Sequence, residues 1–248
     1  MSATACIGIA TPQANPTVEA ECRRLFPWEI TPCVMRLASA EQDSLARLRD
    51  YLRAFGEAPA QFDTLRLAGL GFACTGTSYL VPAAEESRQL ARLEQHFAAP
   101  VVTAAAALRA GVTALGARRI GLLCPYPEAL GAALVAWWER QGIEVAALQR
   151  LPTATADTRG IYALTAAGAR EPLAALRRLQ VDAVVISGTG LPSLTLLAEA
   201  MDVAGPPVVS SNLCLVWELL RRSGRGALAG EEPRQLQGWR ERCGDLPG

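Results

Sequence analysis

The chain is 248 residues long, half apolar and 19% charged, with a formal net charge of zero and a pI of about 6.6. Such a neutral chain offers no electrostatic footprint for nucleic acid or an anionic membrane, so neither is expected as a partner. The length suits one large domain or two lobes of about 110–125 residues each.

In chain order, the first residues lack a basic stretch followed by a sustained apolar run, so no signal peptide is expected. Short apolar runs predict strands at 5–10 and 29–37. Ser39 with Gln42 three residues on has capping-box spacing, and Leu45, Leu48, Leu52 and Phe55 then share one helical face. Further strands are predicted at 65–73, 100–102, 119–124, 143–149, 182–187 and 207–210, with helical stretches between them. The most apolar window, 98–112, is interrupted by Arg109 and is too short to span a bilayer. Strand–helix alternation of this kind implies a parallel sheet covered on both faces.

Landmarks recur along the chain. Ile7-Gly8-Ile9 leading to Pro12 matches Ile120-Gly121-Leu122 leading to Pro125, an offset of 113. Cys74-Thr75-Gly76-Thr77 matches Gly188-Thr189-Gly190-Leu191 at 114, and Pro100-Val101-Val102-Thr103 matches Pro207-Val208-Val209-Ser210 at 107. Their ordered recurrence predicts a duplicated unit. The fold expected is α/β, with two pseudo-symmetric lobes, each a mostly parallel four-stranded sheet flanked by helices. The first lobe spans 1–116, the second 117–225, and a tail at 226–248 is free to pack back on the first.

Residue usage narrows the chemistry. All 24 basic residues are arginine, so Schiff-base, pyridoxal-phosphate and Walker-type phosphate chemistry, which need lysine, are excluded. His96 is the one histidine and has no motif around it, which reads as a surface or capping residue. No metal site is expected without a second histidine or a CxxC pair. No GxSxG elbow accompanies His96 for a serine triad. Seven cysteines without CxxC spacing read as free thiols of a reducing compartment, the cytoplasm.

In open α/β sheets, ligands bind beyond the carboxyl ends of the strands. Here those ends are 11–16, 73–78, 124–128, 187–193 and 210–212, rich in hydroxyls, amides and small residues and nearly free of charge. Together they suit one or two carboxylates held by N–H and O–H donors in a cleft between the lobes. Cys74 closes an apolar strand and opens a glycine- and hydroxyl-rich turn before a helix, a placement that favours a reactive thiolate. The alternative is a small buried hydrophobe.

The runs TPQANPTVEAE, FACTGTSYL, APVVTAAAALRAGVTALGARRIGLLCPY, SGTGLPSL and PVVSSN resemble the aspartate/glutamate racemase superfamily, and within it the maleate cis–trans isomerases and arylmalonate decarboxylases. The resemblance covers the chain from Ile7 to about Gly224 and implies cofactor-free chemistry in the interlobe cleft. By its pattern Cys74 is the catalytic thiol, and Thr75, Gly76 and Tyr126 help hold a carboxylate. Asn15, with Thr17 and Glu19 completing its stretch, falls on the isomerase asparagine, while Gly188 and Thr189 face the ligand from the second lobe. The superfamily's second cysteine is replaced by Gly188, which argues against racemisation, since that needs an acid and a base on opposite faces of one carbon. Cys124 and Cys214 are the remaining candidates for that role. The expected substrate is a small dicarboxylate. The leading expectation is isomerisation by covalent thiolate addition. The alternatives are decarboxylation with Cys74 as proton donor and a non-catalytic carboxylate-binding protein. Assembly is left open, with a homodimer among the options.

Overall fold

The computed structural model describes residues 4–226 and 239–243. All eight expected strands form: β1 (Ala5–Pro12), β2 (Ile30–Leu37), β3 (Leu67–Phe72), β4 (Val101–Thr103), β5 (Arg119–Cys124), β6 (Glu144–Arg150), β7 (Ala183–Ile186) and β8 (Val208–Ser210). They make two sheets of identical order, β2-β1-β3-β4 and β6-β5-β7-β8, with every pairing parallel. Parallel pairing needs covered crossovers, and the amphipathic helices supply them.

In the first lobe these are α1 (Thr17–Leu25), α2 (Ser44–Phe55), α3 (Ala58–Phe62), α4 (Thr75–Leu80), α5 (Ala83–Phe97) and α6 (Ala104–Ala114). The second has α7 (Glu128–Arg140), α8 (Arg170–Arg177), α9 (Leu194–Met201) and α10 (Ser211–Leu220). A short helix α11 (Trp239–Cys243) lies against α1, with Trp239 buried.

Ala10 pairs with Phe72, and Leu123 with Ile186. Cys74 and Gly188 each lie two residues beyond those pairs, so they hold equivalent places at the strand ends of the two lobes. The helix cap differs from expectation. Asp43, not Ser39, caps α2 by accepting from the Ala46 N–H at 2.8 Å, while the Ser39 hydroxyl accepts from the Glu41 N–H in the preceding turn. A carboxylate at the N-terminus gains from the helix dipole as well as the hydrogen bond.

The helix α10 follows the second lobe's last strand yet packs on β3 and β4 of the first. Small residues permit this: a Cβ at Gly71 would meet Leu219 at 2.9 Å, and one at Gly111 on α6 would meet Cys214 Sγ at 2.7 Å. Polar bonds join the lobes too. Glu21 on α1 is buried and accepts from the Ser193 and Leu194 N–H groups at the start of α9, and from Asn212 Nδ2 at 2.7 Å. Burial pushes its carboxyl above the ordinary range, against those hydrogen bonds.

Candidate active site

One cavity of about 40 Å³ lies where the strand ends of the two lobes meet. Asn15, Cys74, Thr75, Gly76, Tyr126, Gly188 and Thr189 all line it. Pro12, Leu48, Leu130, Ile161 and Tyr162 add an apolar wall, and Thr158 and Gly190 complete the lining. No charged side chain lines it. Cys74 is the single thiol among these residues.

Cys74 occupies the position before the first turn of α4 and is only 4% exposed. Thr77 Oγ1 lies 3.2 Å from its sulfur and donates to the Leu48 carbonyl at 2.6 Å. Burial raises the Cys74 thiol above its ordinary value, opposed by the neighbouring Thr77 hydroxyl and by the Thr77 and Gly76 N–H groups. This reverses the expected direction. The helix start does favour thiolate, but removing a sulfur anion from water outweighs a single short turn.

The remaining wall is built of hydroxyls. Thr75 Oγ1 and the Tyr126 hydroxyl are 2.6 Å apart, and Tyr126 lies 3.4 Å from Ser187 Oγ. Burial holds the Tyr126 phenol well above its usual range, so it stays protonated. Thr189 Oγ1 donates to the Ala73 carbonyl at 2.9 Å and accepts from Asn15 Nδ2 at 3.2 Å. Asn15 Oδ1 in turn accepts from the Thr17 N–H at 2.9 Å. Asn15 therefore both turns the chain into α1 and ties it to the opposite lobe. Thr17 Oγ1 also crosses over, donating to the Gly190 carbonyl, whereas Glu19 faces outward and pairs with Arg36.

Gly188 differs from expectation in one respect. Its N–H does not point at the cavity; it donates to Ser211 Oγ at 3.0 Å. Its φ of +126° is a conformation L side chains rarely adopt, and a Cβ there would lie 3.1 Å from Pro125 Cδ and 3.4 Å from the Tyr126 hydroxyl oxygen. Neither alternative thiol reaches the site. Cys124 is fully buried, with its thiol pushed up to about 11, and Cys214 is packed at the α6–α10 crossing. His96 is exposed near the end of α5, away from the cavity.

The sequence did not point to the roof. Thr158, Ile161 and Tyr162 belong to the connection 151–169 between β6 and α8, whose first-lobe counterpart is only 38–43. That disparity was the available signal, because long connections in compact domains are usually functional. The roof is latched by Arg47, 1% exposed on α2, which pairs with Asp157 at 2.5 Å. Ser44 Oγ accepts from the Thr158 N–H at 3.1 Å. Tyr162 can lie against the second-lobe turn because Gly190 lacks a side chain; a Cβ there would meet its ring at 2.8 Å.

Two facing lobes of like topology, with a thiol and a hydroxyl wall between their strand ends, define an α/β enzyme of the isomerase and lyase type. The chain matches the arylmalonate decarboxylase family over residues 7–235 and belongs to it. It is 27% identical to a maleate isomerase of Geobacillus stearothermophilus over 236 residues, 87% of this chain and 90% of that one. A Cys→Ser variant of the Nocardia farcinica maleate cis–trans isomerase, solved with a covalently bound succinylcysteine intermediate, superposes with a TM-score of 0.75. That match has 25% identity and covers 88% of this chain and 92% of that one. Unliganded arylmalonate decarboxylase shares the fold at a TM-score of 0.70 and 22% identity, over 89% and 93% of the two chains. Among the described residues no helix is long and apolar enough to cross a membrane.

Proposed function

We propose that this protein isomerises a small cis-enedioate such as maleate to its trans form, with Cys74 as nucleophile. The observation that carries the reading is the placement of one thiol beside the Thr75–Tyr126 hydroxyl pair in one cavity. The Cys74 thiolate adds to one alkene carbon, and the electron pair displaced from the double bond passes into the carboxylate on the other. The resulting enediolate is held by the Thr75 and Tyr126 hydroxyls. Rotation about the new single bond and cleavage of the C–S bond release the trans product and regenerate thiolate, with no net proton change. A covalent succinylcysteine in the Nocardia relative supports covalent addition of a cysteine to the substrate here.

A second reading has its own support. Burial keeps the Cys74 thiol protonated at neutral pH, the state a proton donor needs. The apolar wall of Leu48, Leu130, Ile161 and Tyr162 suits a substituted malonate that loses carbon dioxide and is then protonated by Cys74. Incubation with maleate and, separately, phenylmalonate distinguishes the two: fumarate supports isomerisation, and carbon dioxide with phenylacetate supports decarboxylation.

Within this proposal 1–116 and 117–225 act as the two lobes that close on the substrate. The tail 226–248 falls largely outside the described residues. Cys6, Cys22, Cys33, Cys74, Cys124 and Cys214 form no disulfide, which supports a reducing compartment such as the cytoplasm.

A further inference from the structure

Two glutamates are buried among the described residues, Glu21 and Glu218. Glu218 pairs with Arg221, whereas the hydrogen-bond partners of Glu21 are neutral groups. Burying a carboxyl group away from water costs stability that neutral donors return only in part. Stability alone therefore does not account for Glu21, and the reaction above leaves it without a role.

What Glu21 holds is the second-lobe wall of the cavity. The turn 187–193 carries Gly188, Thr189 and Gly190, which line the cavity, and leads into α9. Ser193 precedes the first turn of α9 and makes no capping bond with its own side chain. Glu21 supplies the cap from the other lobe, accepting from the Ser193 and Leu194 N–H groups and from Ser193 Oγ at 2.9 Å. Asn212 carries the contact forward. Its Nδ2 donates to Glu21 Oε2 at 2.7 Å and to the Thr189 carbonyl at 3.1 Å. Both partners are acceptors, which fixes the end of the amide that faces them. Its Oδ1 has no partner among the described residues, so those two bonds set its orientation. Thr189 Oγ1 then donates to the carbonyl of Ala73, the residue before Cys74, at 2.9 Å. An unbroken line of contacts runs from Glu21 to the backbone that carries the thiol.

We propose that Glu21 is a positioning residue that acts through Asn212 and Thr189 to hold the second-lobe wall of the cavity against Cys74. The proposal rests on the reading of this cavity as the active site, and its test needs no turnover. Wild-type and variant proteins are labelled with iodoacetamide, and the rate at each cysteine is read on its own peptide by mass spectrometry. Cys22 adjoins Glu21 and Cys214 lies two residues after Asn212; both are fully buried and report any loosening of the packing around the substituted side chains.

Glu21→Gln keeps the shape of the side chain but sets an amide N–H group against donors. It should raise the rate at Cys74 by about three- to tenfold, the worth of one hydrogen bond, with Cys22 and Cys214 unchanged. Asn212→Ala cuts the bond to Thr189 while leaving the cap on α9. It should give the same rise, and it carries the test if Glu21→Gln does not fold. In a Thr189→Val background neither substitution should add to the rate. A Cys74 rate unchanged in both single variants, rises of equal size at Cys22, Cys74 and Cys214, or an undiminished further rise in the Thr189→Val background would overturn the proposal. A wild-type protein that leaves maleate untouched removes the isomerase reading alone, and a rise confined to Cys74 still supports the positioning role.

Discussion

Replacing Gly188 by cysteine would place a second thiol opposite Cys74, the arrangement a two-base racemase needs. The structure argues that the substitution fails to do so. At φ +126° an L residue is strained, and its Cβ would come to 3.1–3.2 Å from the Pro125 ring and 3.4 Å from the Tyr126 hydroxyl. Backbone strain of this kind costs about 1–3 kcal/mol. In a chain of this size that corresponds to a fall in Tm of roughly 2–12 °C. The pressure on Tyr126 also acts on its 2.6 Å contact with Thr75, so turnover should fall rather than broaden. The assay is thermal unfolding by circular dichroism, paired with deuterium exchange at Cα of each aspartate and glutamate enantiomer in heavy water. Gly188→Cys should melt lower and exchange no faster than wild type. A variant of undiminished Tm that exchanges with inversion would refute the steric reasoning.

Further outcomes follow from the same geometry. Because burial raises the Cys74 thiol, an isomerase that works through thiolate should show kcat/KM climbing with pH past the ordinary thiol value of about 8.5. A proton-donating decarboxylase should instead hold steady and then fall over that range. Asp157→Asn should loosen the Arg47 latch and raise the rate at which iodoacetamide reaches Cys74 by several-fold, with Cys214 unchanged; equal rates would show that the cavity opens elsewhere. Arg159, with Arg47 adding to it, holds the Asp157 carboxyl down at about 2. A depressed carboxyl stabilises the fold above its unfolded value and loses that contribution as acid titrates it. The latch should therefore persist at mildly acidic pH and release only as the pH falls toward 2, read as the onset of Cys74 alkylation by a reagent active in acid.

The strands and the duplication were legible because short apolar runs and strand-end prolines and glycines repeat in the same order in both halves. The site was legible for a related reason. Parallel strands bring their carboxyl ends together, so Asn15, Cys74, Thr75, Tyr126 and Thr189, far apart in sequence, had one place to meet. What stayed hidden depends on tertiary contacts. The roof at Thr158 and Tyr162 has no counterpart in the first lobe, so no repeat announced it. Glu21 lies on the buried face of α1, where it looked like an ordinary helix residue. The raised Cys74 thiol reflects burial in the folded chain, and the left-handed conformation of Gly188 is a tertiary feature of the second-lobe turn. The true cap of α2 was ambiguous because Ser39 and Asp43 both have capping chemistry within one short connection.

The most direct test is to quench the protein with acid during incubation with maleate and map every cysteine peptide by mass spectrometry. The expected result is one dicarboxylate added at Cys74 and at no other cysteine, with fumarate accumulating in parallel. Cys74→Ser should lose both the adduct and turnover to the uncatalysed background while keeping the wild-type circular dichroism spectrum. Fumarate formed at an undiminished rate by a folded Cys74→Ser protein would contradict the assignment of Cys74 as the nucleophile.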